Sequence, residues 1–279
     1  MKGHFDNISY ECSKLVTQRY STSFTLGTRM LASKHRKHIY NIYGFVRFAD
    51  EIVDSFHDFD KKNLLKRFED DLNHAIDNKI SLNPILNSFQ YTVHQNNIQN
   101  DLITAFLKSM KMDLFKQKYQ SRKEYQEYIY GSADVVGLMC LNVFVEGNTE
   151  RFNQLKDSAM SLGSAFQKVN FLRDLNADFS ELDRTYFPNL DLSNFDEKSK
   201  IAIIDDIEKD FDHALEGIYQ LPESARLGVY TAYKYYRKLL IKLKNTPSKK
   251  IQSARIRVPD YQKMGVLAQS YLKFHLNMM

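Results

Sequence analysis

The 279-residue chain has no tryptophan, only 5 prolines and 10 glycines, and only 2 cysteines. Sheet-rich folds need more turn residues than this, so the scarcity of Pro and Gly points to helices. Cys12 and Cys140 lie far apart, with neither a CxxC pair nor zinc-ligand spacing. That excludes a disulfide framework and fits reduced core thiols in a cytoplasmic protein. Long apolar runs are also missing. The richest, Val135 to Val145, is about half of what spans a bilayer and carries Gly137 and Asn142. The opening Met-Lys-Gly-His-Phe-Asp-Asn lacks the apolar core of a signal peptide. The densest basic run, Lys34-His35-Arg36-Lys37-His38, is too short for a nucleic-acid arm, so no nucleic-acid partner is expected. The net charge of +5 reads as simple solubility.

A hydrophobic content of 43% supplies a sizeable core, and 26% charged residues is ordinary for a folded domain. No repeat, low-complexity tract or linker interrupts the chain. Apolar periodicity predicts helices over 7–31 (broken near Ser21), 34–56, 60–79, 84–95, 101–119, 122–146, 151–179, 198–219, 222–244 and 260–278. Residues 255–259 read as a short extended piece. The expectation is one all-α domain.

Two helix faces carry chemistry. At about 100° per residue, Gln167, Asn170, Asp174 and Asp178 share an arc of about 80°. A solvated face would mix Lys and Glu in i,i+4 pairs. This stripe has no basic partner of its own and reads as a face built to hold a cation. On the predicted 34–56 helix, Tyr43, Arg47, Asp50 and Asp54 fall within about 60° of one another. On an average helix this would be an Arg47–Asp50 surface ion pair, but the surrounding aromatics point to a stripe that faces inward. Asp and Asn oxygens suit Mg²⁺, with Mn²⁺ as a substitute, and Mg²⁺ completes its shell with substrate phosphates. No P-loop, GxGxxG or Gly-x-Ser-x-Gly motif is present, nor the Glu-x-x-His of di-iron bundles. With Arg47, Arg173 and Arg255 as diphosphate clamps, the two stripes suggest metal-assisted ionisation of a diphosphate ester. Ser21-Thr22-Ser23-Phe24 offers helix N-caps, and a helix N-terminus also suits phosphate.

These pieces resemble the squalene/phytoene synthase family. Asp50-Glu51-Ile52-Val53-Asp54 resembles its first DxxxD motif, and Gln167 to Asp178 its QxxNxxRDxxxD motif. Ser21 to Phe24 resembles its SxSF element, and Tyr128 to Ala133 the tyrosine-glycine segment before Val136-Gly137. Arg184-Thr185-Tyr186-Phe187-Pro188 resembles its R-x-Y-x-P piece, while Tyr236 and Arg255 to Val258 resemble its C-terminal tyrosine and basic strip. The matches run in family order from residue 20 to 259.

The resemblance implies an isoprenoid synthase fold, a helical bundle around a cavity, and head-to-head joining of two allylic diphosphates. It implies Asp50, Asp54, Asn170, Asp174 and Asp178 as metal ligands. It implies contacts to substrate from Tyr20, Ser21, Thr22, Ser23, Phe24, Tyr43, Arg47, Tyr128, Val136, Gly137, Gln167, Arg173, Tyr236 and Arg255. Tyr186, with Phe24 and Tyr43, would steady the allylic cation.

Within the family, Arg-Thr-Tyr-Phe-Pro and Arg-Ile-Arg-Val-Pro look more like bacterial phytoene synthases, for which NADPH is not expected. Thr28, one turn beyond Phe24, would leave depth for geranylgeranyl tails. A squalene or dehydrosqualene synthase acting on farnesyl diphosphate, or a non-catalytic helical scaffold, are the alternatives. Peripheral membrane contact through residues 237–250 competes there with a core helix bearing a solvated basic face. Monomer and homodimer stay open.

Overall fold

Local signals in the chain start and stop each helix. Ser21 accepts a hydrogen bond from the Phe24 amide at 3.3 Å and so opens a new helix directly behind the first. Asn83 caps the next-but-two helix, with Pro84 in its first turn. The computed structural model describes residues 2–182, 184–188, 190 and 195–276, apart from the side chains of residues 178 and 180–182. In chain order the helices are α1 (Lys2–Tyr20), α2 (Thr22–Arg29), α3 (Ser33–Asp54), α4 (Lys61–Asn78), α5 (Pro84–Gln95), α6 (Asn100–Asp113) and α7 (Arg122–Ile129). After a π-helical turn at Tyr130–Asp134 come α8 (Val135–Phe144), α9 (Thr149–Leu182), α10 (Glu197–Gln220), α11 (Glu223–Lys244), α12 (Ser248–Ile251) and α13 (Asp260–His275). No strand occurs among the described residues; one isolated parallel bridge joins Lys118 to Thr185.

Three boundaries differ from expectation. The first helix begins at Lys2, well before residue 7. The helix expected over 101–119 stops at Asp113, because Gln117 and Lys118 pair instead with Thr185, whose amide donates to the Gln117 carbonyl at 2.9 Å. The segment 122–146 is one rod in periodicity but two helices around a π-turn in space, a local i→i+5 widening that apolar spacing does not reveal.

Apolar faces gather into two cores. One is built around Phe45, whose ring stacks on Phe89 at 4.0 Å and lies near Phe68 and Phe106. The other joins the distal half of α9 to α10 and α11, around Phe211, Leu172 and Phe171. Small mid-helix residues draw α9 against the π-turn and α8. A Cβ on Gly137 would meet the Ala159 carbonyl oxygen at 2.7 Å, and one on Gly163 would meet that of Ala133 at 2.7 Å. Between the two cores remains a cavity of about 290 Å³, walled by α2, α3, α8, α9, α10 and α11 with the π-turn.

Candidate active site

The α3 stripe runs from this cavity to the end of its helix. Tyr43 lines the cavity and its ring stacks on Phe24 at 4.8 Å. Burial pushes the Tyr43 hydroxyl up to about 12, so it stays a protonated donor. One turn on, the Arg47 guanidinium donates to Asp50 Oδ2 at 2.6 Å, pairs with Glu51, and lies over the Tyr20 ring at 4.3 Å. The Arg47–Asp50 pair, the ordinary alternative, is therefore present, yet on the same helix face that enters the cavity at Tyr43. Burial, then the charge of Asp54, raises Asp50 above the ordinary carboxylate range.

On α9, Gln167 and Asn170 line the same cavity. The Tyr236 hydroxyl, from α11, reaches Asn170 Oδ1 at 3.4 Å. Asp174 follows one turn later. The expectation that this stripe has no basic partner is overturned. Arg173 Nε donates to Asp174 Oδ1 at 2.9 Å, and Arg255 Nε lies 2.8 Å from the same oxygen. The wheel fixes the direction of Cβ, whereas a guanidinium on its long stem folds back to a neighbouring residue. The side chain of Asp178 lies outside the described residues.

Thr28, Phe24, Val136 and Gly137 all line the cavity, whose walls are chiefly apolar. Thr28 is buried and donates to the Phe24 carbonyl at 2.9 Å, so its methyl group rather than its hydroxyl is left to the wall. Cys140 also lines it; both cysteines are free and half-buried, and burial raises the Cys140 thiol to about 12. Ser21 caps α2 as expected, while Tyr20 is half exposed and Thr22 Oγ1 accepts from Lys263 at 3.2 Å. Ser23 is half-buried in the first turn.

Tyr128 and Tyr186 do not line the cavity. They belong to an aromatic stack in which Tyr186 lies 3.8 Å from Phe171 and 5.4 Å from Tyr128. Beside that stack sits a residue the stripes did not single out. Arg184 is buried, and its Nη1 donates to Asp54 Oδ1 at 2.6 Å while Nη2 donates to the Asp113 carbonyl at 2.8 Å. Asp113 in turn accepts from the Tyr128 hydroxyl at 2.9 Å, and burial raises its carboxyl to about 8. No sequence signal marked Asp113, because the helix was expected to run past it to residue 119 and only the structure ends α6 there.

Among the described residues no three His, Cys, Asp or Glu side chains form a closed metal cage. The donor set nevertheless fits a hard divalent cation, which takes one or two carboxylates and completes its shell from phosphate and water. Asp50 and Asp54 lie close enough for the charge of one to raise the other, a repulsion that a cation would relieve.

Comparison with known proteins places these features in a family. The family model described as squalene/phytoene synthase matches residues 17–262. The chain is 28% identical to the phytoene synthase of Arthrospira platensis, over 95% of this chain and 93% of that one. It is 23% identical to the 4,4'-diapophytoene synthase of Staphylococcus haemolyticus, over 72% and 68% of the two chains. Among solved structures, a dehydrosqualene synthase in complex with ligand superposes with a TM-score of 0.82 at 22% identity, covering 96% of this chain and 98% of that one. The all-α isoprenoid synthase fold is the one observed. With nearly its whole length matched in sequence and fold, the chain belongs to the squalene/phytoene synthase family of prenyltransferases.

Proposed function

We propose that the protein condenses two geranylgeranyl diphosphates head to head to phytoene, through a cyclopropylcarbinyl diphosphate, in carotenoid biosynthesis. The observation that carries this reading is the convergence of two carboxylate-bearing helix faces on one apolar cavity. Tyr43 and Gln167 mark where α3 and α9 enter it, and arginines lie beside the aspartates of both.

Asp50, Asp54, Asn170, Asp174 and Asp178 would hold divalent metal, expected to be Mg²⁺. A divalent metal held there would supply positive charge to a departing diphosphate, which would then leave without protonation. Arg47, Arg173 and Arg255 turn from their carboxylates toward the diphosphate oxygens. The first C–O bond breaks with its electron pair on the diphosphate, leaving an allylic cation. The stacked faces of Phe24 and Tyr43 steady that cation, and the apolar walls exclude water that would capture it. The double bond of the second prenyl chain attacks, and loss of a proton closes the cyclopropane. A second ionisation opens the ring, and loss of another proton gives the linear product. Tyr186 and Tyr128 stand behind this site, where Arg184 ties their stack to Asp54.

A second reading, dehydrosqualene formation from farnesyl diphosphate, is favoured by the diapophytoene synthase relative. One incubation separates the two. The protein is given equal geranylgeranyl and farnesyl diphosphate with Mg²⁺, with and without NADPH. Phytoene as the main product, unchanged by NADPH, supports the proposal; a thirty-carbon hydrocarbon as the main product overturns it.

Both substrate and product are lipophilic, and the reading includes a peripheral membrane encounter. In residues 237–250, Leu239, Leu240 and Leu243 are buried in the core and Lys244 pairs with Glu208, as a core helix with a solvated basic face requires. Ile241 is the one large apolar side chain exposed in that stretch, and a broader apolar face lies on α13. There Tyr261, Met264, Tyr271 and Leu272, with Leu276 just past its end, are exposed within an arc of about 140°. No helix among the described residues is long and apolar enough to cross a membrane.

A further inference from the structure

A second cavity, of about 610 Å³, opens where the end of α3 meets α4 and the loop after α6. Its wall carries His57, Lys61, Lys62, Lys116 and Arg184 against one acidic side chain, Asp113. Asp113 is buried and turned to the Tyr128 hydroxyl at 2.9 Å, so it offers the cavity little negative charge. Arg184 is shared: it lines this cavity while its Nη1 holds Asp54 of the prenyl site at 2.6 Å.

Arg184 and Lys116 each hold a carboxylate, whereas Lys61 and Lys62 have none within ion-pair distance among the described residues. Lys61 donates to the Val53 carbonyl at 2.9 Å and lies 3.0 Å from His57 Nδ1, which fixes its ammonium at the C-terminus of α3. Lys116 pairs with Glu124 at 3.1 Å, outside the cavity wall. Lys62 has no carboxylate within ion-pair distance among the described residues, and its ammonium lies 6.0 Å from the Phe115 ring. Two unpaired ammonium groups beside two paired cations on one concave wall raise the local concentration of anions, and a group with several oxygens can take donors from more than one of them.

We propose that this cavity is a binding site for an inorganic phosphate or diphosphate anion, independent of divalent metal and separate from the prenyl site. None of Lys61, Lys62 and Lys116 belongs to the carboxylate stripes or their arginine clamps. Diphosphate as the natural occupant rests on the condensation proposed above, which releases it; inorganic phosphate does not.

The test is calorimetric titration of the intact protein in EDTA with inorganic diphosphate and, separately, with inorganic phosphate. The same titrations are run on Lys62→Ala and on Lys62→Ala/Lys116→Ala. The expected result is saturable binding to wild type, weakened about tenfold or more in the double variant and less in the single one. Prenyl turnover and thermal unfolding should stay at wild-type values in both variants. Saturation by diphosphate alone assigns the site to the coproduct; equal saturation by phosphate assigns it to the free anion. No saturable heat in EDTA overturns the proposal. So does undiminished affinity in the double variant, which would place the anion at Arg47, Arg173 or Arg255. A protein inert toward prenyl diphosphates that still binds these anions would sink the condensation and leave this site standing.

Discussion

Arg184 reaches Asp54 across 130 positions of sequence, with Nη1 donating to Oδ1 at 2.6 Å. This bond ties the last residue of α3, a member of the DxxxD motif, to the loop that follows α9. The same guanidinium holds the Asp113 carbonyl at 2.8 Å and lies 3.4 Å from the Tyr186 hydroxyl. Removing it would leave Asp54 unheld and the buried Asp113 carbonyl without its donor. Arg184→Ala is expected to cost about 3 kcal/mol of stability, the usual range for breaking a buried pair, together with most of the turnover. Arg184→Lys keeps the charge but loses the fork and should recover only part of each. Urea denaturation beside steady-state turnover measures both.

Thr28 sits on the cavity wall one turn beyond Phe24. Thr28→Phe fills depth that a twenty-carbon tail would use. Product analysis from mixed substrates should show the ratio of farnesyl- to geranylgeranyl-derived product rising several-fold. An unchanged ratio would remove Thr28 from the determinants of chain length.

Asp134 ends the π-turn and accepts a hydrogen bond from Ser164 at 2.7 Å. Burial pushes its carboxyl up to about 7, against an ordinary value near 4. Between those values the folded state binds more protons than the unfolded one, so stability falls as pH rises through that window. Asp134→Asn cannot ionise and keeps the acceptor oxygen. Relative to wild type it should therefore gain on the order of 2 kcal/mol between pH 4 and pH 8, after discounting for its partial exposure. Thermal melts across that range test the sign: a gain toward acid would contradict it.

The apolar face of α13 gives a membrane prediction. Met264→Glu/Leu272→Glu places two charges among exposed apolar side chains and disturbs no buried residue. Co-sedimentation with anionic vesicles should drop several-fold, while turnover with detergent-dispersed substrate stays at the wild-type level. Equal sedimentation of variant and wild type would exclude α13 as the contact.

Much of this was legible in the sequence, for identifiable reasons. The helices followed from apolar spacing, and Ser21 marked a start because its side chain bonds locally. Both stripes were legible because i,i+3 and i,i+4 spacing sets which side chains share a face. The partners of Asp54 and Asp174 were not. Arg184 and Arg255 arrive from remote segments, and Arg173 reaches its neighbour by bending a flexible stem. The π-turn and the early end of α6 were hidden as well. One depends on a local change of hydrogen-bond register, and the other on pairing of Gln117 and Lys118 with a loop far along the chain.

The central claim is that the α9 face works as a metal-dependent diphosphate site, and Asp174→Asn tests it most directly. The substitution preserves shape while removing a carboxylate charge held by Arg173 and Arg255. Diphosphate release from geranylgeranyl diphosphate is followed with Mg²⁺ and with EDTA, alongside circular dichroism to confirm the fold. Wild type should release diphosphate only with Mg²⁺, and the folded variant should lose at least about 100-fold of that rate, the scale of one lost electrostatic contact at a developing charge. A folded Asp174→Asn protein turning over at the wild-type rate would contradict the account.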